Sequence, residues 1–284
     1  MEASTLRAPR PGRRRTGAQL TDGLVGPVRG VLAEAGELGV FSGRAIAEVP
    51  GAFRFTAEIL RQAGILIVGS AAVILLMQFV MGTICGTNAA YVLRTYGAAA
   101  YSGIYTSYCA VRGSLIGFMF GYIVAAKIGT GLAAEIGAMR INSELDAMEA
   151  QGINPLRYVI ATRLVAGWLT FPFLFLIGSA LNFFAAFLVI VKQVGEVSQG
   201  QWQRVHWEFI SGRDLVYDLI WVLLEVTLIM LVGMYYGYRA KGGPVGVGGA
   251  TAKSIMFNII AIHVLGAFLV VVLWGLHPTV PIGG

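Results

Sequence analysis

Residues 63–85, 164–191 and 255–276 each run without one Asp, Glu, Lys or Arg. This constrains the fold more than anything else in the chain. A helix rises ~1.5 Å per residue and the hydrocarbon core of a bilayer is ~30 Å thick, so each run can cross it. In lipid the backbone must satisfy its own hydrogen bonds, which leaves helices and closed barrels. The runs are continuous rather than alternating, which argues against a barrel. Two further runs carry charges: about 106–134 holds Arg112 and Lys127, and about 215–238 holds Asp218 and Glu225. The expectation is an all-α integral membrane protein with five transmembrane helices. Composition agrees: 56% of residues are hydrophobic, 13% are charged and the mean hydropathy is +0.72, whereas soluble domains run near a quarter charged.

Basic residues predict the orientation. Arg13, Arg14, Arg15, Arg44, Arg54 and Arg61 come before or at the start of the first run. Arg140, Arg157 and Arg163 flank the second turn, and Arg239, Lys241 and Lys253 flank the fourth. The opposite side has Arg94, Lys192, Arg204 and Arg213, with Arg112 near its edge. This bias puts the N-terminus in the cytoplasm of a cell (inner) membrane and the C-terminus outside. It also accounts for the net charge of +6 without a nucleic-acid partner, because the basic residues sit at span ends.

The chain divides into a basic cytoplasmic tail at 1–26, read as disordered, interfacial amphipathic helices at 27–62, and a five-span membrane domain at 63–284. In 27–62, apolar residues such as Val31, Leu32, Phe41, Ile46 and Phe53 alternate with single charges, and Pro50-Gly51 breaks the stretch. That pattern suits helices lying in the inner headgroup layer. A soluble helical hairpin is the alternative. No apolar h-region follows the early arginines, so a cleaved signal peptide is not expected. The two cysteines, Cys85 and Cys109, lie near the outer ends of spans and make no disulfide framework; free thiols in helices are the expectation, and a pair on the outer side is the alternative.

Gly113, Gly117, Gly121, Ala125, Gly129, Ala133 and Gly137 recur every fourth residue, with Gly233 and Gly237 repeating the pattern later. Residues four apart share a helix face, and small residues there admit a second backbone. The second span is therefore expected to be a central packing element. Asp214, Asp218 and Glu225 share a face of the fourth span. Charges at such depth face a bundle interior or a wet cavity. Asp218 and Glu225 are thus a candidate intramembrane polar site for a proton or a polar headgroup; the structural reading pairs them with Arg112 or Lys127. Asn258 and His263 read as polar packing residues.

Enzyme constellations are missing. The three histidines show no metal-ligand spacing. The glycine-rich stretch before Lys253-Ser254 has Val247 and Ala252 where a phosphate loop needs glycine, and it lies between two spans. No cofactor or metal is expected on this chain, and ATP-driven transport would need another subunit to bind ATP and Mg.

Between the second and third spans lies a charged segment. Ser143 followed by Asp146 resembles a capping box, Gly152 suits a C′ position and Pro155 prevents continuation. This predicts a helix over 144–151. Leu145, Met148 and Gly152 share one side; Asn142, Asp146 and Glu149 lie on a neighbouring polar side. A two-turn helix is unstable alone, so either the membrane domain or a docking groove holds it. An ordinary loop helix is the plain alternative.

These residues resemble a known family. The run Gly129-Thr-Gly-Leu-Ala-Ala-Glu-Ile-Gly-Ala-Met-Arg140, then Glu144-Leu-Asp-Ala-Met-Glu-Ala-Gln-Gly152, Asn154-Pro155 and Thr162-Arg163-Leu164, resembles the signature of the MlaE/YrbE permeases of MCE-type ABC lipid transporters. Tyr235-Tyr236-Gly237-Tyr238 with Gly242-Gly243-Pro244-Val245-Gly246-Val247-Gly248 is most similar to the B-type YrbE subunits of actinobacteria. The resemblance implies an elbow region and five spans. It also implies a heterodimer with a paralogous A-type permease, a cytoplasmic ABC ATPase dimer, MCE-domain substrate-binding proteins outside, and lipid cargo. The loop helix becomes the ATPase-coupling helix, with Arg140, Glu144, Leu145, Asp146, Met148, Glu149, Gly152 and Arg157 as coupling residues. Helix packing falls to Gly113, Gly117, Gly121, Ala125, Gly129, Gly233 and Gly237. The rival readings are a proton-coupled secondary transporter using Asp218 and Glu225, and a structural scaffold of an MCE complex.

Overall fold

The computed structural model describes residues 17–112 and 115–275. Gly113, the arginines at 13–15 and most of the tail expected at 1–26 lie outside them. Of the described residues, those up to Phe41 and those from Ser42 onward form two compact units. The first is helical, made by α1 (Gly17–Ala47), which runs on into the second; Val31, Leu32 and Val40 on it are exposed. In the second unit, the short α2 (Val49–Ala52), with Pro50 in its first turn, and a tight turn at Phe53–Phe55 lead into α3 (Thr56–Thr95). The interruptions fall at Glu48 and at Phe53–Phe55, on either side of Pro50-Gly51, which lie inside α2 rather than at a break. Residues 56–62, expected in the interfacial region, are continuous with the first apolar run in one helix.

Among the described residues, five helical runs are long and apolar enough to cross a membrane: Val49–Thr95, Ala99–Ile141, Leu156–Val194, Gly212–Tyr238 and Gly243–Trp274. Among the described residues there is no strand. Each run extends beyond its apolar stretch, because composition marks only what lies in hydrocarbon while the helices continue into the polar layers. Glu58 shows this on α3, where it accepts from Arg61 Nη2 at 2.6 Å and Gln62 Nε2 at 2.8 Å.

The second run is built from α4 (Ser102–Ser107), α5 (Leu115–Val124) and α6 (Thr130–Ile141), with π-helical turns at Tyr108–Arg112 and Ala125–Gly129. After α7 (Glu144–Ala150), the third run opens with a π turn at Leu156–Ala161 and continues as α8 (Thr162–Phe187). The amphipathic α9 (Gln199–Glu208) precedes α10 (Gly212–Tyr238) and α11 (Gly243–Trp274). Serines start two of these: Ser198 Oγ accepts from Gln201 N, and Ser211 forms a reciprocal capping box with Asp214.

The small-residue stripe finds its partners within the chain. A Cβ on Gly233 would lie 3.1 Å from Gly129 Cα, and one on Gly237 2.8 Å from Ala133 O. α6 and α10 therefore meet backbone to backbone. On the neighbouring side Gly129 faces Asn258 and Gly137 faces Val247, both on α11. Lipid tails are as apolar as the side chains, so such helices are held by close packing rather than by escape from water. α3 and α8 interlock in the same way. A Cβ on Gly82 would stand 2.8 Å from Ala185 Cβ, and one on Gly178 2.9 Å from Gln78 Cγ, while Asn182 Nδ2 donates to Gln78 O at 3.2 Å.

Chain order puts the turns at 142–155 and 239–242 at one end of the bundle and those at 96–101 and 195–211 at the other. Cys85 on α3 and Cys109 in the first π turn are disulfide-bonded, with Cα atoms 6.3 Å apart. This corrects the expectation of free thiols: α3 and the returning second run lie side by side below their shared turn, so residues 24 apart meet. At that end Arg94 bonds Glu196 and holds its carboxyl below the ordinary range. α9 packs on α4 there. His206 is fully buried, stacked 4.5 Å from Trp202 and edge-on to Phe183 at 5.0 Å. Burial pushes its imidazole down to about 4, so it is neutral at pH 7.

Candidate functional site

At the opposite end the chain turns sharply out of α6. Ser143 takes a left-handed backbone (φ 59°), its N–H bonded to Arg140 O at 3.2 Å. It closes α6 instead of capping α7 with its side chain. The expected capping box is therefore absent, since an N-cap serine needs an extended backbone to aim its hydroxyl at the first turn. Asp146 accepts from Arg140 Nη1 at 2.6 Å instead. The helix ends as its glycine predicts. Gly152 is left-handed (φ 77°), Gly152 N bonds Glu149 O and Ile153 N bonds Met148 O, each at 2.9 Å. These are the two bonds of a Schellman motif.

α7 is thus a seven-residue helix with one deep anchor. Leu145 is fully buried and Met148 half-buried, while Glu144, Asp146 and Glu149 are exposed. Arg140 sits over the Tyr238 ring at 5.7 Å, tying the turn to the end of α10. Arg157 points elsewhere: its Nε donates to Glu48 Oε2 at 2.7 Å, and Asn154 Nδ2 donates to Glu48 Oε1 at 3.1 Å. Arg163, 5% exposed, donates to Glu135 Oε1 at 2.5 Å and Val159 O at 3.0 Å. The grouped residues 140–157 thus come together, but around two centres rather than one face. Glu48, Asn154, Glu135 and Arg163 were not singled out as site residues. Glu48 carries no local signal, being 109 residues from Arg157.

Within the spans, Asp214, Asp218 and Glu225 lie buried on one face of α10, as their spacing predicts. Asp214 caps the helix and accepts from Trp274 Nε1 at 3.0 Å. Glu225 is 1% exposed, and neither carboxylate oxygen has a hydrogen-bond partner among the described residues. Asp218 Oδ1 also lacks one. Lys127 is exposed, so the pairing with Glu225 considered from the sequence does not form; the side chain of Arg112 lies outside the described residues. Glu225 rests on Gly121, where a Cβ would collide with its carboxylate. Asn258 is buried with both amide atoms unpartnered among the described residues. His263 is satisfied: Nδ1 donates to Ile259 O at 2.7 Å, so Nε2 accepts from Tyr122 OH at 2.8 Å. Among the described residues no His, Cys, Asp and Glu cluster could hold a metal ion.

The sequence pattern described as Permease MlaE matches residues 59–272, from the start of α3 through α7 to the end of α11. The chain belongs to the MlaE permease family. It is similar to a probable ABC transporter permease protein of Rickettsia prowazekii (strain Madrid E), 28% identical over 142 residues, 50% of this chain and 54% of that one. It therefore spans about half the length of the Rickettsia relatives it matches. Two longer matches cover more. The MlaE permease protein of the intermembrane phospholipid transport system of Haemophilus influenzae is 25% identical over 76% of this chain and 83% of its own. A probable ABC transporter permease protein of Synechocystis is 27% identical over 70% and 75%. MlaE membership and the five apolar helices among the described residues make this chain a multi-pass membrane protein of that family.

Proposed function

We propose that this MlaE-family chain is the permease subunit of an ATP-driven ABC transporter that moves lipid, with α7 as the helix that docks the ATPase. One observation carries the reading. α7 is too short to be stable alone, it is pinned by Leu145, and it presents Glu144, Asp146 and Glu149 outward at a bundle end rich in basic residues. A partner groove lined by cations and an apolar floor fits it. The name of the Haemophilus relative supports phospholipid as the cargo class. ATP and Mg would be bound by the ATPase dimer, not by this chain. The Tyr235-Tyr236-Gly237-Tyr238 pattern supports the B-type YrbE assignment, with an A-type permease beside it and MCE-domain proteins outside.

Two independent features support a cytoplasmic α7. Basic residues collect at its end. The disulfide lies toward the other end, and disulfides persist where the environment is oxidising.

The test is the double variant Asp146→Lys with Glu149→Lys. Reversing a rim charge costs less than breaking a buried charged pair, ~2–5 kcal/mol, but two reversals on one small helix should visibly reduce ATPase co-purification. Membrane insertion should be unchanged. Full co-purification and wild-type lipid uptake would remove α7 from the docking role.

The buried Glu225, with no hydrogen-bond partner among the described residues, favours a second reading, proton-coupled transport. It predicts uptake that survives ATP depletion and stops when the proton gradient collapses.

A further inference from the structure

One carboxylate joins the elbow before the first span to the loop that leaves α7. Glu48 stands between α1 and α2, and its two oxygens grip Arg157 Nε and Asn154 Nδ2 at 2.7 and 3.1 Å. Two further contacts fix the same junction. A Cβ on Gly51 would lie 2.5 Å from Arg157 Nε and 2.9 Å from its Cδ, so the elbow backbone lies directly against the guanidinium stem. Phe55 and Tyr158 meet edge to face at 5.1 Å. The Glu48 and Arg157 side chains are 25% and 38% exposed, so the pair is partly shielded from solvent.

The elements on either side give this junction its consequence. On the elbow side, α2 and the turn at Phe53–Phe55 pass straight into α3. On the loop side, the chain enters the π turn Leu156–Ala161 and then α8. α3 and α8 are already interlocked deeper in the membrane by Gly82 against Asn182 and Ala185, and by Gly178 against Gln78. Glu48 thus closes the near end of a helix pair that is locked along its length. From α7 the path to it is short: Gly152, held left-handed by the Schellman bonds, then Ile153 and Asn154. A push on α7 that reached α8 alone would have to shear α8 against α3. With the clamp closed, both helices receive it.

We propose that Glu48 is a positioning residue for coupling: it makes the elbow and the loop after α7 one body, so that displacement of α7 moves α3 and α8 together. This rests on the reading of α7 as the ATPase-docking helix. Glu48 acts through Arg157 and Asn154.

The test uses the complete transporter with nitroxide labels on Leu60→Cys, at the start of the first span, and Ile153→Cys, in the loop. Both positions are exposed, and Cys85 and Cys109 are joined in a disulfide and take no label. The distance between labels is read by pulsed electron resonance, nucleotide-free and after trapping with ATP and vanadate. With Glu48 intact, the distance peak is expected to stay in place. With Glu48→Ala it should move beyond its own width on trapping, and the swap Glu48→Arg with Arg157→Glu should return it. Should Glu48→Ala fail to assemble, Glu48→Gln, which keeps one acceptor and loses the charge, is expected to give a smaller move of the same kind. A peak that moves with Glu48 intact would overturn the proposal, as would one that stays fixed without the carboxylate. Failure of the docking reading shows separately, as full ATPase co-purification with Asp146→Lys and Glu149→Lys.

Discussion

The carboxylate of Glu225 on α10 lies against the Cα of Gly121 on α5, in the space that any side chain at 121 would need. A buried acid with no hydrogen-bond partner among the described residues and a glycine whose enlargement would force that carboxylate to move thus occupy one contact. Gly121→Ala should destabilise the permease by about 1–3 kcal/mol, the usual cost of overpacking. Gly121→Leu should abolish recovery of folded protein. Glu225→Ala in the Gly121→Ala background should restore part of the loss, read as the melting midpoint in detergent. Strict additivity of the two changes would mean that they do not share this contact.

The α6–α10 crossing gives a second test. Gly233→Val would drive a branched side chain into the backbone of Gly129. We expect loss of the monodisperse peak on size exclusion. Gly131→Val, where nothing lies within 4 Å of the added carbon, should elute as wild type.

Gly152 holds a positive φ that a β-branched residue tolerates poorly. Gly152→Val should fray the end of α7 and reduce ATPase co-purification. Gly152→Asn, which accepts the left-handed conformation more readily, should retain most of it.

His206 makes stability depend on pH. Its folded value of about 4 lies below the ordinary 6.5, so the folded state binds its proton later than the unfolded one. The stabilisation is fully present above pH 6.5 and is lost as pH falls through 4, by up to about 3 kcal/mol. Thermal midpoints between pH 7 and 4 should fall more steeply for wild type than for His206→Phe. Equal slopes would show that the imidazole is not the group that resists protonation.

Reporter fusions check orientation. With five spans, fusions after Gly152 and after Gly284 should report opposite compartments. The same compartment for both would mean that one apolar helix does not cross.

The apolar runs determined that this chain forms five long helices, because no other way of satisfying a backbone in lipid suits a continuous apolar stretch. Spacing alone also marked the face of α5 and α6 that must be packed, the acids that share one face of α10, and the glycine that ends α7. Each is a local property, set by a helical period or a single residue's backbone preference. Tertiary structure decided the rest. It chose α10 and α11 as partners of the glycine stripe and placed Glu225 on Gly121. It joined Cys85 to Cys109 and gave Asp146 to Arg140 rather than to Ser143. It brought Glu48 to Arg157 across 109 residues. In each case the sequence offers several chemically acceptable partners, and only the packing of helices distant in the chain selects the one within reach.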